Sequence, residues 1–144
     1  MIEQDTIKLL RECDAGAKMG VSSIDDVMDY VKDEELKQKL KACKQEHEKL
    51  NEDIQSALER FHDDGKEPAA MAKVMSGLKT NVKLAVNDSD ETVADLMTDG
   101  CDMGVKSLSK YLNKYKAADE DSKDIAKRLI NIEERLAVDI RKYL

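Results

Sequence analysis

The sequence predicts an all-α fold, a four-helix bundle made of two helical hairpins joined by a helical crossover. Three observations carry this. Charged residues make up 38 % of the chain and aromatic residues 3 %, with no Trp and a single proline at Pro68. That composition suits long helices and fits a β-sandwich or a parallel sheet badly. Apolar residues recur at alternating steps of three and four over four long stretches, the seam of a left-handed bundle. The second half of the chain also echoes the first. With 144 residues there is room for one domain with a real core, spanning 1–144 as a hairpin 1–62, a crossover helix 66–88 and a hairpin 89–144.

The first helix is expected over 5–31, with Ile7, Leu10, Asp14, Ala17, Val21, Ile24, Met28 and Val31 on its seam. Between Val31 and Glu34 only a tight turn fits, with Asp33 as N-cap of a second helix over 34–62, so the two must run antiparallel. The second seam is Leu36, Leu40, Cys43, His47, Leu50, Ile54, Ala57 and Phe61. Gly65 then suits a helix stop and Pro68 a helix start. Met71, Val74, Met75, Leu78, Val82 and Ala85 mark a short amphipathic helix near 68–86 within the connection. A third helix over 89–116 carries Ala94, Thr98, Cys101, Val105, Leu108, Leu112 and Tyr115. A last one, from about 120 to the end, carries Ala126, Leu129, Glu133, Leu136, Ile140 and Tyr143, with Ile125 and Ile132 beside the seam.

The internal echo has two blocks. Met19, Gly20, Val21 and Ser23 return as Met103, Gly104, Val105 and Ser107, a shift of 84, and Glu48, Leu50, Asp53, Ile54 and Leu58 return as Glu134, Leu136, Asp139, Ile140 and Leu144, a shift of 86. A slightly longer inter-helix loop in the second half absorbs the difference. Two aligned blocks in the same order favour duplication over the chance likeness of two acidic helices.

The bulk properties exclude several classes. A net charge of −7 repels phosphate backbones and anionic head groups, so nucleic acid is a poor partner. "MIEQDTIKLL" lacks the basic start and apolar run of a secretory signal, and no stretch of 18 apolar residues offers a membrane span, which points to the cytoplasm. Cys13, Cys43 and Cys101 are odd in number, far apart and without CxxC spacing, as expected of reduced thiols packed in a core. There is no phosphate-binding glycine loop and no nucleophile elbow, so no enzyme class is indicated. Gly16, Gly20, Gly100 and Gly104 are expected to let helices approach closely.

"LLRECDAGAK" at 9–18 followed by "KQEHEKL" at 44–50 resembles the first hairpin of rubrerythrin-type ferritin-like proteins. Over nearly the whole chain, crossover included, the likeness is to a bacterial family of uncharacterised ferritin-like bundles related to rubrerythrin. The resemblance implies a di-iron centre built from one Glu on each of two helices and a Glu-x-x-His on each of the other two. Here the motif is degenerate. The second helix reads Lys44-x-x-His47, the last has Ile130 and Glu133 at the aligned positions, and the single glutamates fall at Ala17 and Cys101. A di-iron oxidase is therefore not expected, and no cofactor is.

A polar layer survives on the seams at Asp14, His47, Thr98 and Glu133, with Cys43 and Cys101 nearby. The favoured reading is that His47 pairs with Asp14 or Glu133 and fixes helix register. Lys44 is expected to point outwards, towards solvent or a carboxylate. The alternative is a residual mononuclear Zn²⁺ or Fe²⁺ site of His47, Glu133 and Asp14 with Cys101 or Cys43. His62, beside Asp63 and Asp64, reads as a solvated helix end. The functional expectation is a non-catalytic bundle with a structural or interaction role, its partner a second copy or another protein. The remaining alternative is a small-ligand binder using a cavity around Ala17 and Cys101. The basic crossover, with Lys66, Lys73, Lys79 and Lys83, either caps the bundle or docks such a partner.

Overall fold

A computed structural model of the protein describes residues 2–68, 83, 84 and 86–144. Among these residues there are four long helices and no strand: α1 (Ile2–Met28), α2 (Glu34–Glu59), α3 (Asp90–Lys114) and α4 (Glu120–Asp139), with a 3₁₀ turn at Arg141–Tyr143. The expected crossover helix falls mostly outside the described residues. Residues 66–68 are not helical, contrary to the expected start at Lys66, and residues 83, 84 and 86 are. No helix among the described residues is long and apolar enough to cross a membrane.

Every seam residue named above on the four long helices is buried or half-buried, and none is exposed. Leu9, Leu10, Ile24, Leu36, Leu40, Ile54, Leu58, Leu129 and Ile140 are fully shielded at the centre, each such side chain stabilising the fold by roughly 2 kcal/mol relative to exposure. α1 packs on α2, α3 and α4, and α4 also on α2 and α3.

Side-chain pairs give the helix directions. Glu35, Glu46 and Asp53 along α2 meet Lys142, Arg135 and Arg128 in turn, so numbers fall along α4 as they rise along α2 and the two helices are antiparallel. Likewise Asp25 meets Lys44 while Asp14 meets Asn51 and Gln55, so α1 and α2 are antiparallel.

The helix ends are tied across the molecule. Asp33 caps α2 by accepting from Leu36 N at 2.9 Å, and its own N–H donates to Asp90 at the start of α3 at 2.9 Å. At the opposite end Asp119 caps α4 by accepting from Ser122 N at 2.8 Å, and its N–H donates to Thr6 Oγ1 at 2.8 Å. These two arrangements correspond through the sequence echo, since Asp33 plus 86 is Asp119 and Thr6 plus 84 is Asp90. Asp119→Ala, which removes a cap at the entry to α4, is expected to lower stability by about 1 kcal/mol in urea unfolding.

Boundaries differ from expectation by one to three residues at the start of α1 and at both ends of α3, and three helix ends differ for identifiable reasons. α1 stops at Met28 rather than residue 31, because Tyr30 and Val31 turn back onto Val27 O and Met28 O and the next two N–H groups go to Asp90. α2 ends at Glu59 rather than residue 62, and the stop is made by His62, not Gly65. His62 takes a left-handed φ of 55° while Asp63 N reaches back to Leu58 O and His62 N to Glu59 O, the paired bonds that close a helix C-terminus. α4 gives way after Asp139 to the 3₁₀ turn, which carries the Tyr143 hydroxyl to Asp33 at 3.0 Å.

Candidate functional site

His47 faces inward because the α2 seam runs Leu40, Cys43, His47, Leu50, and only 1 % of it meets solvent. Its Nδ1 lies 2.8 Å from the Cys43 carbonyl oxygen, an acceptor, so Nδ1 carries a proton. Nε2 lies 2.8 Å from Glu133 Oε1 on α4, and the Cys43 thiol sits 3.5 Å from Nδ1. With an acceptor at both nitrogens the ring is held as an imidazolium. Burial works against that charge more strongly than any single partner favours it. The hydrogen bonds to Cys43 and Glu133 and the Glu133 charge together outweigh burial and raise the pKa from 6.5 to about 10.

The Cys101 thiol on α3, 1 % exposed, lies beside the same Glu133. Burial first, then the Glu133 charge, push the thiol well above the ordinary cysteine range. It is therefore no thiolate nucleophile at neutral pH. Nor is His47 a base, since both ring nitrogens are engaged. Among the described residues no buried side-chain nitrogen or oxygen lacks a partner.

One glycine makes room for the pair and a second lies beside it. A Cβ on Gly20 of α1 would stand 2.6 Å from both Cδ2 and Nε2 of His47, and one on Gly104 of α3 would stand 3.5 Å from Glu133 Cδ. The first distance is forbidden and the second is ordinary contact. These residues also correspond in the echo: Gly20 plus 84 is Gly104, and His47 plus 86 is Glu133. Each half thus sets a glycine behind a polar residue, and the two polar residues meet. Gly16 makes ordinary contact with Leu129 and Leu108, whereas Gly100 has nothing within 4 Å of its would-be Cβ, so it mediates no close approach.

Asp14 belongs elsewhere. It is fully buried, but its Oδ1 accepts from Asn51 at 2.8 Å and Gln55 at 2.6 Å, and its Oδ2 from Lys18 at 3.0 Å and Lys66 N at 2.9 Å. Six residues separate it from Gly20 along α1, roughly 9 Å of helix rise. Its role is to anchor the chain as it leaves α2. Gly65, at φ 89°, crosses so close that a Cβ would lie 2.2 Å from Asp14 Oδ2. Asn51, Gln55, Lys18 and Gly65 were not among the expected site residues. The available signal was the polar pair Asn51 and Gln55, one turn apart on α2 beside the seam. Thr98 turns its hydroxyl onto its own helix, to Ala94 O at 2.9 Å.

The residues at the di-iron positions do not fit a di-iron centre. Ala17 is fully buried and has no donor atom, and Ile130 is half-buried and apolar. Lys44 turns outwards to Asp25 Oδ1 at 2.7 Å, as expected of a cation on the rim. Of the expected mononuclear set, the structure brings together His47, Glu133 and Cys101 with Cys43 beside them, and leaves out Asp14. Among the described residues no three His, Cys, Asp or Glu side chains are disposed to hold a metal ion. His62 is exposed at the end of α2.

Comparison with protein-family models, curated proteins and solved structures finds no match for this chain.

Proposed function

We propose that the protein is a ferritin-like bundle without a di-iron centre, non-catalytic, and active as a structural or interaction module. The helix order supports this reading. A hairpin of α1 and α2 followed by a second of α3 and α4 is the order such a bundle calls for, and the Asp33–Asp90 and Asp119–Thr6 ties between helix ends are consistent with it. The observation that carries the loss of metal chemistry is the closed His47–Glu133 pair at 2.8 Å, which uses the imidazole nitrogen and carboxylate oxygen that a metal would need.

The test is metal content together with thermal stability. Protein purified without chelator is expected to carry no stoichiometric iron or zinc. Adding either is expected to shift the melting temperature by less than about 1 °C, because only a ligand that prefers the folded state stabilises it. A stoichiometric metal that copurifies and disappears in His47→Ala would replace this reading with a mononuclear metalloprotein. The small-ligand alternative draws no support from two grooves formed by the described residues, whose linings include neither Ala17 nor Cys101. The partners proposed are a second copy or another protein, and light scattering of the purified chain separates them.

A further inference from the structure

The charge of this acidic molecule reverses around the turn between α3 and α4. Residues 105–118 carry Lys106, Lys110, Lys114 and Lys116 and no Asp or Glu, in a chain of net charge −7. Across the turn, Lys123 and Lys127 stand one helical turn apart on α4. Lys116, Lys123 and Lys127, with Leu112 and Asn113, line an open groove of about 580 Å³. Among the described residues Lys116 and Lys127 have no ion pair, and that of Lys123 is a 3.7 Å contact with Glu120, whose side chain is 88 % exposed. Of the neighbouring carboxylates, Asp119 accepts from the Ser122 N–H, Asp5 from the Ala117 N–H, and Asp124 pairs with Arg128 at 3.1 Å, while Glu120 and Asp121 stand exposed at the start of α4.

Three ammonium groups around one groove repel one another, and an anion between them turns that repulsion into attraction. We propose that this groove binds a small polyvalent anion of the di- or triphosphate class. Lysines bind phosphate as point charges and need no enclosing pocket to do so. The net charge selects for a small ligand. At physiological ionic strength charges are screened beyond about 8 Å, so a short phosphate chain meets mainly the three lysines, whereas an extended polyanion meets the acidic remainder too. This site is independent of the His47 interior and of the function proposed above.

The experiment is calorimetric titration of the full chain with inorganic tripolyphosphate at low and at physiological ionic strength. One saturable site that weakens with salt is expected. In Lys116→Gln/Lys127→Gln affinity should fall about tenfold or more, while the melting temperature of the free variant does not fall, since like charges have been removed. Lys37→Gln/Lys41→Gln, which removes the same charge towards the opposite end of the bundle, should leave affinity within about twofold. A parallel titration with a nucleoside triphosphate tells whether more than the phosphate chain is read, and saturable binding in either arm supports the site. Absence of saturation in both arms overturns the proposal. So does an equal loss of affinity in the Lys37/Lys41 variant, which would reduce the effect to general attraction.

Discussion

Replacing His47 by leucine is expected to lower stability by on the order of 3 kcal/mol at neutral pH. Leucine suits the seam in volume, so the loss comes from Glu133, which keeps its place with 8 % of its surface exposed and loses its 2.8 Å partner. The loss has a pH signature that simple repacking lacks. In the fold the imidazole holds its proton up to a pKa of about 10, against 6.5 ordinarily. Stability from this raised pKa is therefore complete below 6.5 and is lost as pH rises through about 10. Urea unfolding of wild type and His47→Leu across that interval should show the gap between them narrowing steadily. A gap that stays constant or widens would mean that the pair is not charged.

Gly20→Ala is expected to cost about 2 kcal/mol, because the new methyl meets the ring of His47 at a distance no packed interior tolerates. That sign opposes helix propensity, by which alanine is the better residue by about 1 kcal/mol. The two effects separate in a double-mutant cycle. With His47 already replaced by alanine the methyl has space, and the same substitution at Gly20 should become neutral or stabilising by up to about 1 kcal/mol. Equal destabilisation in both backgrounds would mean that Gly20 is needed for a reason other than the imidazole.

The helices were legible because periodicity and capping agree. Steps of three and four marked the buried face of all four long helices, and Asp33 was recognisable as a cap from its place before Glu34. That His47 pairs with a buried carboxylate was legible as well, with Asp14 and Glu133 both on the seams as candidates, and the structure selects Glu133. Asp14 shows where such reasoning ends. Its seam position says that it is buried, but its partners come from beside the α2 seam and from the backbone beyond Gly65, and no pattern on α1 announces them. The α2 stop was misplaced for a related reason. Gly65 has the expected positive φ, but it serves the bend over Asp14, while His62 takes the left-handed position that glycine usually fills.

The correspondence between His47 and Glu133 bears on how such a bundle can be built at all. Were the two halves separate, identical chains related by a two-fold axis, residues meeting on that axis would be the same residue twice. Two imidazolium ions or two carboxylates would then face each other, and neither combination neutralises its own charge. An acid can stand opposite a base here only because one covalent chain carries both positions and lets them differ. The interior pair is in that sense a property of linkage, a complementarity that perfect symmetry forbids and a single polypeptide permits.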